Sequence, residues 1–294
     1  MSTLTDEKIH RYNAVLLERL GVFLNGTPDF LASDIVDPIV TQCGVSKEYA
    51  FSVSLAASLG LDTEAYTDHR EIFDNYFPQM VHHLDAATYT EDPFYKNIRV
   101  PNTKVGQWEF KQKHYKPYEA FVCNDLEELP DGRVIPQIGF FESAFPYPAV
   151  LENDHEWMLI TPNEIETMKP AVSAAAGNVL TYGLGLGYFA YLVSEKANVS
   201  SVTVVEKDPD VIQLFEKNVL PQFTQASKLH LVKEDAFIYA EKRMAKGEFD
   251  FIFTDLWHDP SDGVELYLRM KSYERYSPRS SFRYWIEKTL RYYC

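Results

Sequence analysis

Residues 171–193 run for 23 positions without a charged side chain, and near the middle of that stretch stands Gly183-Leu184-Gly185-Leu186-Gly187. By length alone such a segment could cross a bilayer. Its internal order argues for something else: Ser173, Asn178, Thr181 and four glycines interrupt it, and a β-branched run, a glycine cluster and an aromatic segment succeed one another as strand, turn and helix. Glycine takes left-handed backbone freely and lets another group approach the main chain closely. A cluster between a strand and a helix therefore makes a tight turn and leaves the first helix amides free for polar groups. The chain downstream extends this pattern. Strand-like residues 179–182, 201–206, 229–233 and 249–254 alternate with helical segments ending at Lys196, near Val219 and at Lys246. The alternation predicts parallel strands joined by right-handed crossovers.

Upstream the texture changes twice. Over residues 6–85 apolar side chains recur three and four apart, as at Ile9, Tyr12, Val15, Leu16 and Leu20, which predicts helices with a break at Asn25-Gly26-Thr27-Pro28. Residues 100–160 are richer in aromatic and β-branched types, and Pro130-Asp131-Gly132 separates strand-like 118–123 from 134–141, as in a small antiparallel sheet. Thr161-Pro162-Asn163-Glu164 has the spacing of a capping box with proline at the first helical position, so a helix starts there. That helix feeds the first parallel strand, which makes Glu164 or Met168 a candidate to line a site.

Charge narrows the partners. The chain has 28 Lys and Arg against 43 Asp and Glu, a formal net charge of −15. Such a surface repels a phosphate backbone and favours neutral or cationic small substrates, so neither a nucleic acid nor a membrane partner is expected. The basic run Lys271, Arg275, Arg279, Arg283, Lys288 and Arg291 reads as the outer face of an amphipathic helix, with Phe282, Trp285, Ile286, Leu290 and Tyr293 facing inward. Cys43, Cys123 and Cys294 are too few and scattered for a disulfide framework or a thiolate site, and His82-His83 lacks a second ligand cluster. No metal is expected. With no signal-like block at its start, the chain is expected to be cytoplasmic; a homodimer is left open.

The glycine turn gains meaning from the acids that follow it. Glu206 ends the second parallel strand 19 residues beyond Gly187, near the spacing at which a carboxylate accepts ribose hydroxyl protons. Asp235-Ala236 follows the third strand and Asp255 the fourth, so every strand end carries a polar mark where open α/β sheets bind ligands. Over about residues 175 to 262 this arrangement resembles the Rossmann-like S-adenosylmethionine-dependent methyltransferases. In that resemblance Gly183, Gly185 and Gly187 match the glycine loop, Glu206 the ribose-binding acid, Asp235 with Ala236 the adenine side, and Asp255 the polar residue closing the fourth strand. The position two residues before the first glycine, often acidic in that family and near the methionine ammonium, is Thr181. A dinucleotide fingerprint would need glycine at 188, where Tyr188 stands.

The resemblance implies S-adenosylmethionine as cofactor and methyl transfer to a small or cationic substrate. Asp255 is then the candidate proton acceptor, and Trp257, His258 and Glu164 are candidates for the substrate side; Tyr182, Tyr188 and Trp257 are the nearest aromatic faces for a sulfonium or an ammonium. Two alternatives are carried: a spermidine-synthase-like aminopropyltransferase, which Asp255-Leu256-Trp257-His258-Asp259-Pro260 loosely resembles, and a catalytically inactive S-adenosylmethionine-binding sensor. The expected layout is a helical region over 1–99, a small β segment over 100–160 and a Rossmann-like cofactor-binding domain over 161–294. Only 39 residues follow Asp255, so the sheet is expected to be truncated or completed by another segment, with 100–160 as donor.

Overall fold

A computed structural model describes residues 4–294. Four helices come first, α1 (Asp6–Gly26), α2 (Ser33–Cys43), α3 (Lys47–Ser58) and α4 (Thr67–Met80). Strand β1 (Val81–His83) and the short helices α5 (Ala86–Thr90) and α6 (Pro93–Asn97) follow. Next come β2 (Thr103–Val105), β3 (Trp108–Tyr115), β4 (Phe121–Glu128), β5 (Val134–Phe140), β6 (Phe145–Glu152) and β7 (His155–Leu159). The chain then alternates through α7 (Pro162–Ala174), β8 (Gly177–Tyr182), α8 (Tyr188–Ser194), β9 (Val199–Glu206), α9 (Pro209–Asn218), β10 (Leu229–Lys233), α10 (Ala236–Lys242), β11 (Phe251–Thr254), α11 (Pro260–Lys271), β12 (Ser281–Tyr284) and α12 (Glu287–Tyr293). Two compact units result: Met1–Ala86 with His114–Pro146, and Ala87–Lys113 with Tyr147–Cys294. Among the described residues no helix is long and apolar enough to cross a membrane.

In the first unit the amphipathic stripes of the helices build the core. Tyr12, Leu16 and Leu20 of α1, Phe51 and Leu55 of α3 and Tyr76 of α4 share one buried cluster with Ile135, Ile138 and Phe140 of β5. Strand β5 is buried at every position because it is the middle strand, antiparallel to β4 across the expected turn at Pro130-Asp131-Gly132 and parallel to β1. Residues 81–83 therefore depart from the helical expectation: the 3.6-residue period of α4 stops at Met80, and the free edge of β5 takes up the next three residues.

In the second unit five parallel strands lie in the order β10-β9-β8-β11-β12. Val179, Leu180, Val202, Val204 and Ile252 are fully buried, as expected of parallel strands covered on both faces. Counted along the chain this is 3-2-1-4-5, a Rossmann-like sheet whose order switches between β8 and β11. The described sheet has five strands, and residues 100–160 do not add to it; β2, β3, β6 and β7 form a sheet of their own, in that order. The fifth strand comes from Ser281–Tyr284, which the sequence pattern assigned to a helix. Four residues are too few to display a period of two, and the open edge of β11 supplies the backbone partners that decide the matter. Helix starts only at Glu287.

Candidate functional site

Gly183 shows why the sequence turns where it does. Its φ is +96°, and a Cβ there would fall onto the carbonyl oxygen of Asp255, so only glycine lets β8 pass this close to the end of β11. The turn is tied on both sides: the Gly183 amide donates to Val205 O at 3.0 Å, and the Asp255 amide donates to Tyr182 O at 3.0 Å. Gly185 is also left-handed, with φ +50°. Gly187, with φ +78°, is the N-cap of α8 and packs on the Phe215 ring.

Beside this turn, at the carboxyl ends of the strands, is a cavity of about 150 Å³. Gly183, Gly185, Glu206, Asp235 with Ala236, and Asp255 line it, together with Trp257 and Glu164. Eight of the candidate residues thus meet in one wall. Gly187 and His258 are not part of it; His258 is exposed, with Nδ1 3.4 Å from Asp259, and faces a separate depression beside Trp157. Met168, Tyr182 and Tyr188 lie elsewhere in the core, and the Tyr188 hydroxyl donates to Asp92 at 2.9 Å.

Each acid sits in its own local structure. Glu206 is braced against the turn, Oε2 accepting from the Leu184 amide at 3.2 Å and Oε1 from the Asp208 amide at 2.9 Å. Burial raises its pKa, and these amide bonds pull it part of the way back. Asp235 is the N-cap of α10, accepting from the Phe237 and Ile238 amides. Asp255, deep in the concave wall, is pushed up to about 7 by burial. Glu164 is raised well above the usual carboxylate range, first by burial and then by the Asp255 charge.

Helix α7 begins where the sequence predicts, with Thr161 as N-cap, yet the Thr161 side chain accepts no capping bond. Glu164 instead lines the cavity, 8% exposed, and its Oε2 has no hydrogen-bond partner.

The sequence reading missed most of the aromatic wall. The chain has four tryptophans, and Trp108, Trp157, Trp257 and Trp285 all line this cavity. They come from β3, β7, the segment after β11 and the residue after β12, too scattered for any spacing rule to gather. Trp285 is held by an indole N–H bond to the Thr167 hydroxyl at 2.9 Å, next to Ile286, a β-branched residue strained at φ +44°. Met158 of β7 was missed as well: its sulfur accepts from the Leu186 amide at 3.3 Å and packs against Gly185. Lys207 is the one basic residue in a wall with four carboxylates.

No protein-family model matches the chain, and no curated protein matches it in sequence. Among solved structures, a proposed O-methyltransferase from Klebsiella pneumoniae is similar at 23% identity with a TM-score of 0.27, over 34% of this chain. The match spans 43% of that protein's length.

Proposed function

We propose that this protein is an S-adenosylmethionine-dependent methyltransferase acting on a small or cationic substrate. The observation that carries the reading is the meeting, at the switch point of a parallel sheet, of a left-handed glycine turn with Glu206, Asp235 and Asp255 from the next strand ends. The residues present suit the cofactor. Gly183 and Gly185 leave main chain bare for close approach. Glu206 has lone pairs beyond its two amide bonds for ribose hydroxyls, and Asp235 with Ala236 would take the adenine side.

When bound, S-adenosylmethionine supplies a methyl group already activated on a sulfonium. What the chain must add is positioning, worth about 7–11 kcal/mol when reacting groups are pre-organised, and an acceptor for the substrate's proton. Asp255, with a pKa near 7, is suited to the second task.

The cavity is small for this ligand, since small-molecule sites usually enclose about 300–1,000 Å³. Met158 holds the Leu186 amide, so nucleoside binding requires its side chain to leave. The second reading is a sensor that binds without turnover. Calorimetry with S-adenosylmethionine, its decarboxylated form and NAD separates the possibilities. Methyl transfer expects S-adenosylmethionine to bind best and turn over an amine, hydroxyl or carboxylate substrate. Preference for the decarboxylated form indicates aminopropyl transfer, binding without turnover indicates the sensor, and binding of NAD alone overturns the proposal. Glu206→Ala should weaken nucleoside binding by roughly 5- to 150-fold, the loss of about 1–3 kcal/mol of hydrogen bonding; an unchanged dissociation constant removes Glu206 from the site.

A further inference from the structure

We propose that Glu164 and Asp255, on a cavity wall shared with the four tryptophans, form a binding subsite for a primary ammonium group. The assignment starts from Glu164. Three positions beyond the N-cap of α7 it is placed to reach back and satisfy the Thr161 amide, as a capping-box residue does. No such box forms; the side chain lines the cavity, more than nine-tenths buried, with Oε2 unpartnered. A carboxylate oxygen removed from water without a donor is costly, and the cost is offset when a ligand brings the donor.

Asp255 is the second acid of the pair, close enough for its charge to raise the Glu164 carboxyl. The wall as a whole has four acidic side chains against Lys207 alone, so a donor that also brings positive charge, and thereby favours their ionised form, suits it better than a neutral one. The tryptophans make the same selection independently. Indole faces attract ammonium through their quadrupoles. Trp108 and Trp257 also have unpartnered indole N–H groups, which an occupant carrying an acceptor beside its ammonium would serve. A cavity of about 150 Å³ takes a group of benzene-like size without rearrangement.

The role of this ammonium rests on the transferase reading, which offers two sources for it: an amine substrate, or the methionyl tail of the cofactor. In the second case Glu164 stands in for an acid that the buried Thr181 does not provide. The two sources are told apart by ligand choice. Because all four tryptophans line the cavity, intrinsic fluorescence reports occupancy of this site without any turnover. Full-length protein is titrated with n-butylamine and n-butanol, and by calorimetry with S-adenosylhomocysteine and 5′-methylthioadenosine, which lacks the amino-acid tail.

If the ammonium belongs to the substrate, n-butylamine changes the emission saturably, n-butanol does not, and Glu164→Gln weakens the amine at least tenfold. If it belongs to the tail, Glu164→Gln weakens S-adenosylhomocysteine at least tenfold and leaves 5′-methylthioadenosine within twofold. The proposal is overturned if n-butanol binds as well as n-butylamine and Glu164→Gln leaves S-adenosylhomocysteine unchanged, or if the variant changes neither amine nor S-adenosylhomocysteine affinity. Should Glu164→Gln fail to fold, Asp255→Asn carries the same comparisons, with 5′-methylthioadenosine binding reporting an intact nucleoside site. Failure of both adenosine compounds to bind the unaltered protein overturns the transferase reading instead; the n-butylamine titration then decides the ammonium subsite alone.

Discussion

The two units treat buried polar groups in opposite ways. In the first, Asn13 is 4% exposed and fully used: its Nδ2 donates to Gly132 O, and its Oδ1 accepts from both the Tyr76 hydroxyl and the Val134 amide. Gln137 is engaged likewise, with Oε1 facing His82 and Nε2 donating to Ile135 O. In the second unit Trp108, Glu164 and Trp257 on the cavity wall keep a buried polar atom without a partner, and Tyr182 and Thr254 do so in the core outside it. A polar group closed off from water is satisfied in a scaffold, and left open where something else is to satisfy it. The three on the cavity wall are the ones an occupant of the cavity would meet.

Left-handed glycines give the sharpest way to break the comparison. Gly44 of the first unit has φ +65° and nothing within 4 Å of a Cβ, so Gly44→Ala should cost only about 1 kcal/mol of backbone strain. Gly183→Ala adds a collision of its Cβ with the Asp255 carbonyl oxygen, a main-chain atom that cannot rotate away, and should cost several kcal/mol or abolish folding. Thermal unfolding of the two variants measures this; equal losses would mean that the turn is not packed as described.

Asn13→Ala should cost roughly 2–4 kcal/mol, because it strands two buried donors. Glu164→Gln should go the other way and stabilise by roughly 1–3 kcal/mol at pH 8, since it removes a buried carboxyl that must there either keep a proton an unfolded chain releases or carry an unpaired charge. The pH dependence has the same asymmetry. Burial raises Glu164, Glu206 and Asp255, so the folded protein keeps protons that an unfolded chain releases near pH 4. Their contribution is therefore greatest at acid pH and falls as pH rises from roughly 4 through the folded-state value of each, about 7 for Asp255. Asp68 and Glu71 of the first unit are held low by hydrogen bonds from Tyr12 and Lys8, and their contribution is lost as pH falls. Unfolding followed from pH 4 to 8 should show a loss that Glu164→Gln reduces; an unchanged profile would remove the carboxyl pair as its source.

How much of this was legible in the sequence follows from the range over which each signal acts. Strands β8, β9, β10 and β11, the glycine turn and the acids after them are local patterns, and the sequence placed them within a few residues. The sheet's last strand was not legible, because four residues without alternation become a strand only when β11 offers an edge. The capping box at Thr161 and Glu164 misled in an instructive way. The spacing located the helix start correctly, but the pull of the cavity on Glu164 is tertiary and leaves no trace in spacing. The tryptophan wall was invisible for the same reason, its members being spread from residue 108 to residue 285.

Met158 provides the gentlest test, because there the second unit ties up an amide of its own glycine turn. Its sulfur takes the Leu186 amide, one of the donors that the glycine turn would otherwise leave to a ligand, and thioether sulfur is a weak acceptor. Removing it frees the amide and opens space beside Gly185. Met158→Ala should therefore tighten S-adenosylhomocysteine binding by about 3- to 10-fold, the equivalent of a neutral hydrogen bond no longer displaced, while lowering stability by roughly 1–2 kcal/mol. Calorimetry beside thermal unfolding separates the two effects. If affinity falls along with stability, Met158 is part of the binding surface rather than a side chain the ligand must displace, and the cavity as it stands is already the bound shape.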